Sequence, residues 1–296
     1  MNKINLLLDT DIGTDADDAM TLVQLAGASV SLKGITLGYG PTCLRWSIAK
    51  HYLDAMSWNI PLHAGKSETL SGKEIWLSGR EGRTLDGLDF SYRCSEDAVD
   101  FLAQTLRASS EPLTLLCISP LTNIGELLTN FPDVKSKIEH LVIMGGNFVE
   151  EAAEHNFASD TVAANRVLES GIRTTVIGLD ATKQLKLFKS DMEEIRRAGR
   201  VGEMLAREID DWWDFWDETW SVPHDPIALV ALETPGLFEF SEWGSVRVME
   251  KGALEGVSVF TPGDGNVRYV TSYDKSEVGN RIIEQIVKGA RKNAAD

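Results

Sequence analysis

The chain has 296 residues, 43% hydrophobic and 25% charged, the balance of an ordinary globular protein with material for a sizeable core. Its 45 acidic against 29 basic side chains give a formal net charge of −16, which excludes the basic footprint that nucleic-acid phosphates require and suits a small neutral substrate or a bound cation. No linker, repeat or low-complexity segment divides the chain, so one α/β domain over 1–296 is expected.

In chain order, Ile4 to Leu8 reads as a buried strand and Ala16 to Ala26 as the helix after it. Leu32 to Leu37 is a second strand, followed by a helix from about Leu44 to Ser57. Further strands are expected at Leu113–Ile118, Ile138–Met144 and Thr174–Leu179, each with a helical pattern behind it. These runs are apolar throughout rather than alternating, as parallel strands covered on both faces must be. The pattern predicts an open, mostly parallel, doubly wound sheet of right-handed βαβ units. From Val246 to Tyr273 the pattern alternates and contains GDGN, a hairpin-like signal, so a small C-terminal β/helical extension is expected. Gly38-Tyr39-Gly40-Pro41, Ser119-Pro120 and Gly145-Gly146 punctuate strand ends, where ligands sit in such sheets.

Cys43, Cys94 and Cys117 are widely spaced and form no CxxC pair, which reads as reduced thiols rather than a disulfide framework. The opening MNKINLLLDTD has too short an apolar run for a signal peptide, and no later stretch is apolar enough to span a bilayer. A cytoplasmic protein with no membrane partner is expected.

The segment LLLDTDIGTDADDAM places Asp9, Asp11, Asp15, Asp17 and Asp18 within ten residues, directly after a buried strand. Carboxylates this close repel one another, and some must take up protons unless a cation intervenes. A hard divalent ion with oxygen ligands resolves the conflict, and the flexible coordination of Ca²⁺ suits several carboxylates best. Asp17 and Asp18 fall in the first helical turn, where the helix dipole favours anions. A solvated acidic loop capping a helix is the plainer alternative, but it does not call for the ordered strand–acid–Gly–acid–helix arrangement.

Two enzyme families begin in this way. In the haloacid-dehalogenase-like phosphatases a strand-end DxD supplies a nucleophile, a part Asp9 would take, but no convincing downstream lysine and late acidic pair accompany it. The nucleoside hydrolases begin with DxDxG and a DD pair, which Asp9 to Asp18 resembles with two extra residues before the pair. Further resemblances to that family follow in order: Ser119-Pro120-Leu121-Thr122-Asn123 to its PLTN turn, Met144-Gly145-Gly146-Asn147 to its MGG strand end, Ala153-Glu154-His155-Asn156-Phe157 to AEFN, Gly178-Leu179-Asp180-Ala181-Thr182 to GLDVT, and His224-Asp225 to its late HD pair.

The resemblance implies a homodimeric or homotetrameric, Ca²⁺-dependent N-ribosyl hydrolase acting on a ribonucleoside. It implies Asp11, Asp18, Asp225 and the Thr122 carbonyl as metal ligands, and Asp17 as the general base toward the attacking water. Asp9 and Asp15 would brace the loop. Asn147, Glu154 and Asn156 would bind ribose hydroxyls, with Met144 packing beneath the sugar. His224 would serve the leaving base. Trp212, Trp213, Trp216 and Trp220 lie at near-helical spacing, which usually means packing; standing before the HD pair, one or two would stack on that base.

Three departures fall on the leaving-group side. LGYGPT replaces VxGN, putting Pro41 where an Asn would help hold substrate; Arg83-Thr84 replaces an HG pair; and His155 replaces the aromatic residue of AEFN. His224, His155 and then Arg83 are the candidates for protonating or hydrogen-bonding the base, a contribution of ~10²–10⁴-fold. The expected leaving base is therefore other than plain hypoxanthine or uracil, with a modified base included. A catalytically silent nucleoside-binding protein of the same fold is the third reading.

Overall fold

The computed structural model describes residues 3–89, 91 and 93–292. Strand β1 (Ile4–Thr10) leads into α1 (Asp17–Gly27), β2 (Val30–Leu37), α2 (Thr42–Ala55) and the short β3 (Leu62–Ala64). After a largely irregular segment come α3 (Ala98–Ala108), β4 (Leu113–Cys117), α4 (Thr122–Asn130), β5 (Ile138–Met144), α5 (His155–Ser159), α6 (Thr161–Leu168), β6 (Thr174–Ile177) and α7 (Leu179–Thr182). The chain continues through β7 (Leu187–Phe188), α8 (Lys189–Arg196), α9 (Arg200–Trp216), β8 (Trp220–Ser221) and α10 (His224–Glu233). It closes with β9 (Phe238–Phe240), β10 (Gly244–Val248), β11 (Ser258–Pro262), β12 (Val267–Tyr273) and α11 (Lys275–Ala290).

A ten-stranded sheet runs in the order β11-β10-β12-β6-β5-β4-β1-β2-β3, with β9 pairing β12 off that path. From β12 to β3 every pairing is parallel. Both faces are covered, so β1 and β4 bury nearly every side chain and need no alternation. The expected doubly wound α/β architecture is the observed one.

The order also fixes where a ligand can sit. The chain leaves β1 toward β2 and β3, then returns to place β4 on the other side of β1. The carboxyl ends of β1 and β4 therefore flank a topological switch point, the usual crevice of an open α/β sheet. Helix α1 starts at that crevice and packs tightly on α11. A side chain at Gly27 would come within 2.0 Å of the Gln285 carbonyl, and one at Gly289 within 1.9 Å of the Val23 carbonyl. The two glycines let the helix backbones touch and hold the acidic start of α1 in place.

The C-terminal hairpin reading needs correction. β11 and β12 flank GDGN but do not pair; β10 lies between them, and β12 joins the parallel core beside β6. Gly265 permits the crossing, since a Cβ there would lie 1.8 Å from the Gly244 carbonyl oxygen. The reading of three reduced thiols is also overturned, because Cys43 and Cys94 form a disulfide and only Cys117, buried in β4, is free. The two partners stand 51 residues apart and meet because the segment after β3 folds back onto the start of α2; no local spacing signals such a pair. Among the described residues no helix is long and apolar enough to cross a membrane.

Candidate active site

The acidic segment between β1 and α1 is almost wholly buried. Asp9, Asp11, Asp17 and Asp18 are each at most 6% exposed, and Asp225, at the start of α10, is 3% exposed. Asp17, Asp18 and Asp225 each offer a carboxylate oxygen, and these three atoms lie within 4.8 Å of one another. Residues 207 or more positions apart in sequence thus converge, because α10 begins beside α1 at the same end of the sheet. Burial, then the mutual repulsion of these carboxylates, pushes Asp17, Asp18 and Asp225 well above the usual carboxylate range. Arg45 draws Asp18 down by its charge but does not return it to the usual range. An all-oxygen donor set with uncompensated negative charge fits a hard divalent ion.

The other aspartates divide by their hydrogen bonds. Asp9 accepts from Thr36 Oγ1 at 2.6 Å, Asn123 Nδ2 at 2.8 Å and Ser119 Oγ at 2.9 Å. It ties β1 to β2 and α4, and burial still lifts it to about 6. Asp11 lies 3.8 Å from the Arg45 guanidinium, and its main-chain N–H donates to Asp18 at 3.3 Å. Thr10 donates a short hydrogen bond from its hydroxyl to Asp18. Asp15 accepts from the Ala16 N–H, and burial lifts it to about 7. Thr122 donates its hydroxyl to Asp160 at 2.7 Å, which ties the start of α4 to the start of α6.

Arg45 was not visible as a site residue in the sequence. It is fully buried, and its guanidinium donates to the carbonyls of Asp11, Ile12 and Tyr39 and to the Thr14 hydroxyl. It thereby fixes the loop that carries the aspartates. Its only sequence signal is a lone basic residue on the otherwise buried side of α2.

A cavity of about 260 Å³ opens above the carboxylates, lined by Asp11, Asp15, Asp17, Asp18 and Asp225, with Met144, Glu154, His155 and Asn156 at one end and Trp212, Trp216 and His224 at the other. Glu154 spends its carboxylate on the N–H groups of Gly146, Asn156 and Phe157, where it caps α5. Asn156 donates to the Met144 carbonyl at 3.2 Å, while Asn147 has a buried side-chain nitrogen with no partner. Asn147 does not line the cavity itself, so that nitrogen is a spare donor behind the wall that Met144 and Asn156 form. His155 lines the wall and meets Tyr39 and Trp76 edge-on, with ring centroids 5.6 and 5.8 Å away. Trp76 was not anticipated; it arrives on the irregular segment after β3, which carries no periodic pattern.

At the other end, His224 Nδ1 is 2.7 Å from the Thr182 hydroxyl, and burial followed by the Lys183 charge lowers it to about 4. The histidine is therefore neutral near pH 7. Trp212 and Trp216 meet edge-on with centroids 5.8 Å apart. Trp213 instead points inward and donates to Ser221 at 2.7 Å, a packing role. Arg83 does not reach the cavity. Its side chain is 61% exposed and lies 3.7 Å from Asp211, because the turn that carries it faces α9 rather than the carboxylates.

Comparison with known proteins agrees with this geometry. Residues 6–280 match the sequence model of a family described as inosine-uridine preferring nucleoside hydrolase. The pyrimidine-specific ribonucleoside hydrolase RihA of Salmonella typhimurium is 31% identical over 267 residues, covering 83% of this chain and 85% of the relative. The protein of the same name from Escherichia coli O9:H4 is 33% identical over 269 residues, with the same coverage. Among solved structures, a plant nucleoside hydrolase, PpNRh1, superposes with a TM-score of 0.85 at 25% identity, over 97% of this chain and 99% of that one. A purine-preferring ribonucleoside hydrolase from Gardnerella vaginalis shares the fold, with a TM-score of 0.87 at 23% identity and the same coverage. The phosphatase reading of Asp9 is not favoured, and the hydrogen bonds from three side chains leave that carboxylate a brace.

Proposed function

The chain belongs to the inosine-uridine preferring nucleoside hydrolase family and is a ribonucleoside N-ribohydrolase; from that premise we propose that it is Ca²⁺-dependent and that it cleaves pyrimidine ribonucleosides. The observation that carries the metal is the buried convergence of Asp17, Asp18 and Asp225 within 4.8 Å. The pyrimidine preference is supported by the relatives at 31–33% identity, whose names specify it.

Asp18 and Asp225 would hold the ion, with Asp11 and the Thr122 carbonyl completing its oxygen shell. The ion held there would supply Lewis acidity toward ribose hydroxyls and the attacking water. Asp17 would take that water's proton. Its place in the cavity lining beside Asp18 and Asp225 supports that role. Asn147 and Asn156 would hydrogen-bond the sugar over Met144, with Glu154 fixing the turn that carries Asn156. As the C–N bond breaks, positive charge develops on the ribose, and the surrounding carboxylates stabilise it.

At the departing base, His224 would act as a neutral hydrogen-bond partner rather than as an imidazolium, because burial keeps it uncharged. Trp212 and Trp216 would pack on the base, with His155 and Trp76 closing the opposite wall. A homodimer or homotetramer is the proposed assembly, which light scattering on the purified protein would measure. The test of function is a reducing-sugar assay over a nucleoside panel, with Ca²⁺ and then with chelator. Ribose release from uridine or cytidine that stops on chelation is expected. Release that persists without divalent ions would refute the Ca²⁺ dependence, and purine ribosides outrunning every pyrimidine would refute the base preference.

A further inference from the structure

Beyond the catalytic cavity lies a second chamber of about 490 Å³. The two share Asp15, Leu179, Trp212, Trp216 and His224 as a common wall, so they are continuous at the leaving-group end. The far wall of the second chamber is different in kind. It adds Trp220, Lys183, Lys186 and Glu218. Lys186 holds its ammonium 3.4 Å from the centroid of the Trp220 ring. The two-stranded pairing of β7 with β8 sets this contact, because Phe188 lies opposite Trp220 and places Lys186 close by. Lys183 sits at the carboxyl end of α7, where the helix dipole favours a cation.

Two lysines on this wall are out of keeping with the rest of the molecule. The chain carries a net charge of −16, and the adjoining cavity is walled by five aspartates. Among the described residues the lysines paired with a carboxylate are Lys50 and Lys73; neither Lys183 nor Lys186 has such a partner. A plain uracil or cytosine would end at Trp212, Trp216 and His224 and leave the second chamber to water. A substituent directed away from the sugar would pass His224 and enter an aromatic chamber with ammonium groups at its end.

We propose that the second chamber is a specificity subsite for an acidic side group on the leaving base, so that the preferred substrate is a pyrimidine riboside carrying a carboxylate on a short arm at the ring edge remote from the glycosidic nitrogen. The arm packs beside Trp220, and the carboxylate meets Lys183 and Lys186, whose two charges offset those of Glu218 and Asp15 in the chamber lining. The bond exchange is unaltered. Water adds to the anomeric carbon, the C–N electron pair leaves with the base, and the carboxylate takes no part. This inference rests on the pyrimidine ribohydrolase reading above.

The test compares kcat/KM for uridine, 5-carboxymethyluridine and the methyl ester of that acid, which keeps the arm and removes the charge. Wild type, Lys183→Gln, Lys186→Gln and the double variant are each assayed with Ca²⁺. Wild type is expected to favour the acid over the ester by roughly tenfold or more, the worth of a charge-assisted hydrogen bond. The ratio should fall with added salt and approach one in the double variant. Because it is taken within one protein, a general loss of activity in a variant does not move it. Uridine cleaved with no preference for the acid, or a preference that survives both substitutions, would overturn the subsite alone. Failure to release ribose from any of the three would overturn the pyrimidine reading and the subsite with it.

Discussion

Titrating Ca²⁺ into chelator-treated protein should raise its melting temperature, and the rise should grow with pH. Asp17, Asp18 and Asp225 are buried together and hold their protons well above the ordinary carboxylate range, while Asp9 and Asp15 are lifted to about 6 and about 7. A group whose pKa is higher folded than unfolded contributes stability that is fully present below its unfolded value and is lost as pH rises through its folded one. For Asp9 alone the lift from 3.8 corresponds to roughly 3 kcal/mol. The ion-free protein should therefore melt at a higher temperature near pH 5.5 than near pH 8, the part owed to Asp9 being gone by about pH 6 and that owed to Asp15 by about pH 7. A cation reverses this, since it binds the deprotonated carboxylates and expels their protons. At a Ca²⁺ concentration about 1,000 times its Kd the gain is about 4 kcal/mol, or roughly 6–7 °C for a chain of this size. Differential scanning calorimetry at the two pH values, with and without Ca²⁺, measures the increments. Calorimetric titration in two buffers of different ionisation heat counts the protons released. A Ca²⁺ increment larger at the acidic pH, or no proton release, would refute the electrostatic account of the cluster.

Replacing Asp17 with Asn should lower kcat by ~10²–10⁴-fold while Ca²⁺ affinity changes far less; Asp18→Asn should instead weaken Ca²⁺ binding directly, so calorimetry beside the ribose assay separates base from ligand. An Asp17→Asn variant that releases ribose at the wild-type rate would remove the base from that position. Arg45→Met should cost roughly 3–5 kcal/mol in urea unfolding, because it strands the Asp11 carboxylate and several loop carbonyls without their cation; a loss below about 1 kcal/mol would show that the guanidinium does not hold the loop. Denatured, unreduced protein should show one free thiol, Cys117, and reduced protein three. Reduction should cost up to about 4 kcal/mol for a loop of this length, visible as a lower melting temperature in dithiothreitol; three free thiols before reduction would contradict the Cys43–Cys94 bond.

The clustering of the carboxylates in the candidate site was readable from sequence because local order encodes it. Asp9 to Asp18 fall within ten residues, after an apolar strand and at a helix start, so both their neighbours and their placement follow from short-range patterns. Asp225 is remote, but it heads a helix next to a histidine and so carries its own signal. The parallel core was equally legible, since β1, β4 and β5 are unbroken apolar runs. Arg45 was not, because a buried guanidinium that binds carbonyls looks in sequence like any exposed arginine on a helix. The disulfide and the crossing of β11 over β10 depend on contacts between distant segments, and the two-residue β7 and β8 are too short to show a period.

This division follows the way the fold builds the two ends of its cavity. The carboxylate end is made where β1, β4, α1 and α10 meet, elements locked by parallel pairing and by the close α1–α11 contact. A change there disturbs the core as well as the chemistry. The opposite end is made by Trp212, Trp216, Trp220, Lys183 and Lys186 on α7 to β8. Those segments lie outside the main sheet; β7 and β8 pair only with each other. Trp216 is 54% exposed, so substitutions there leave the carboxylate cluster untouched. One scaffold can therefore keep ribose hydrolysis fixed while the accepted base changes. In this chain the α7 to β8 end opens into a chamber lined by Trp220, Lys183 and Lys186 rather than into a closed wall.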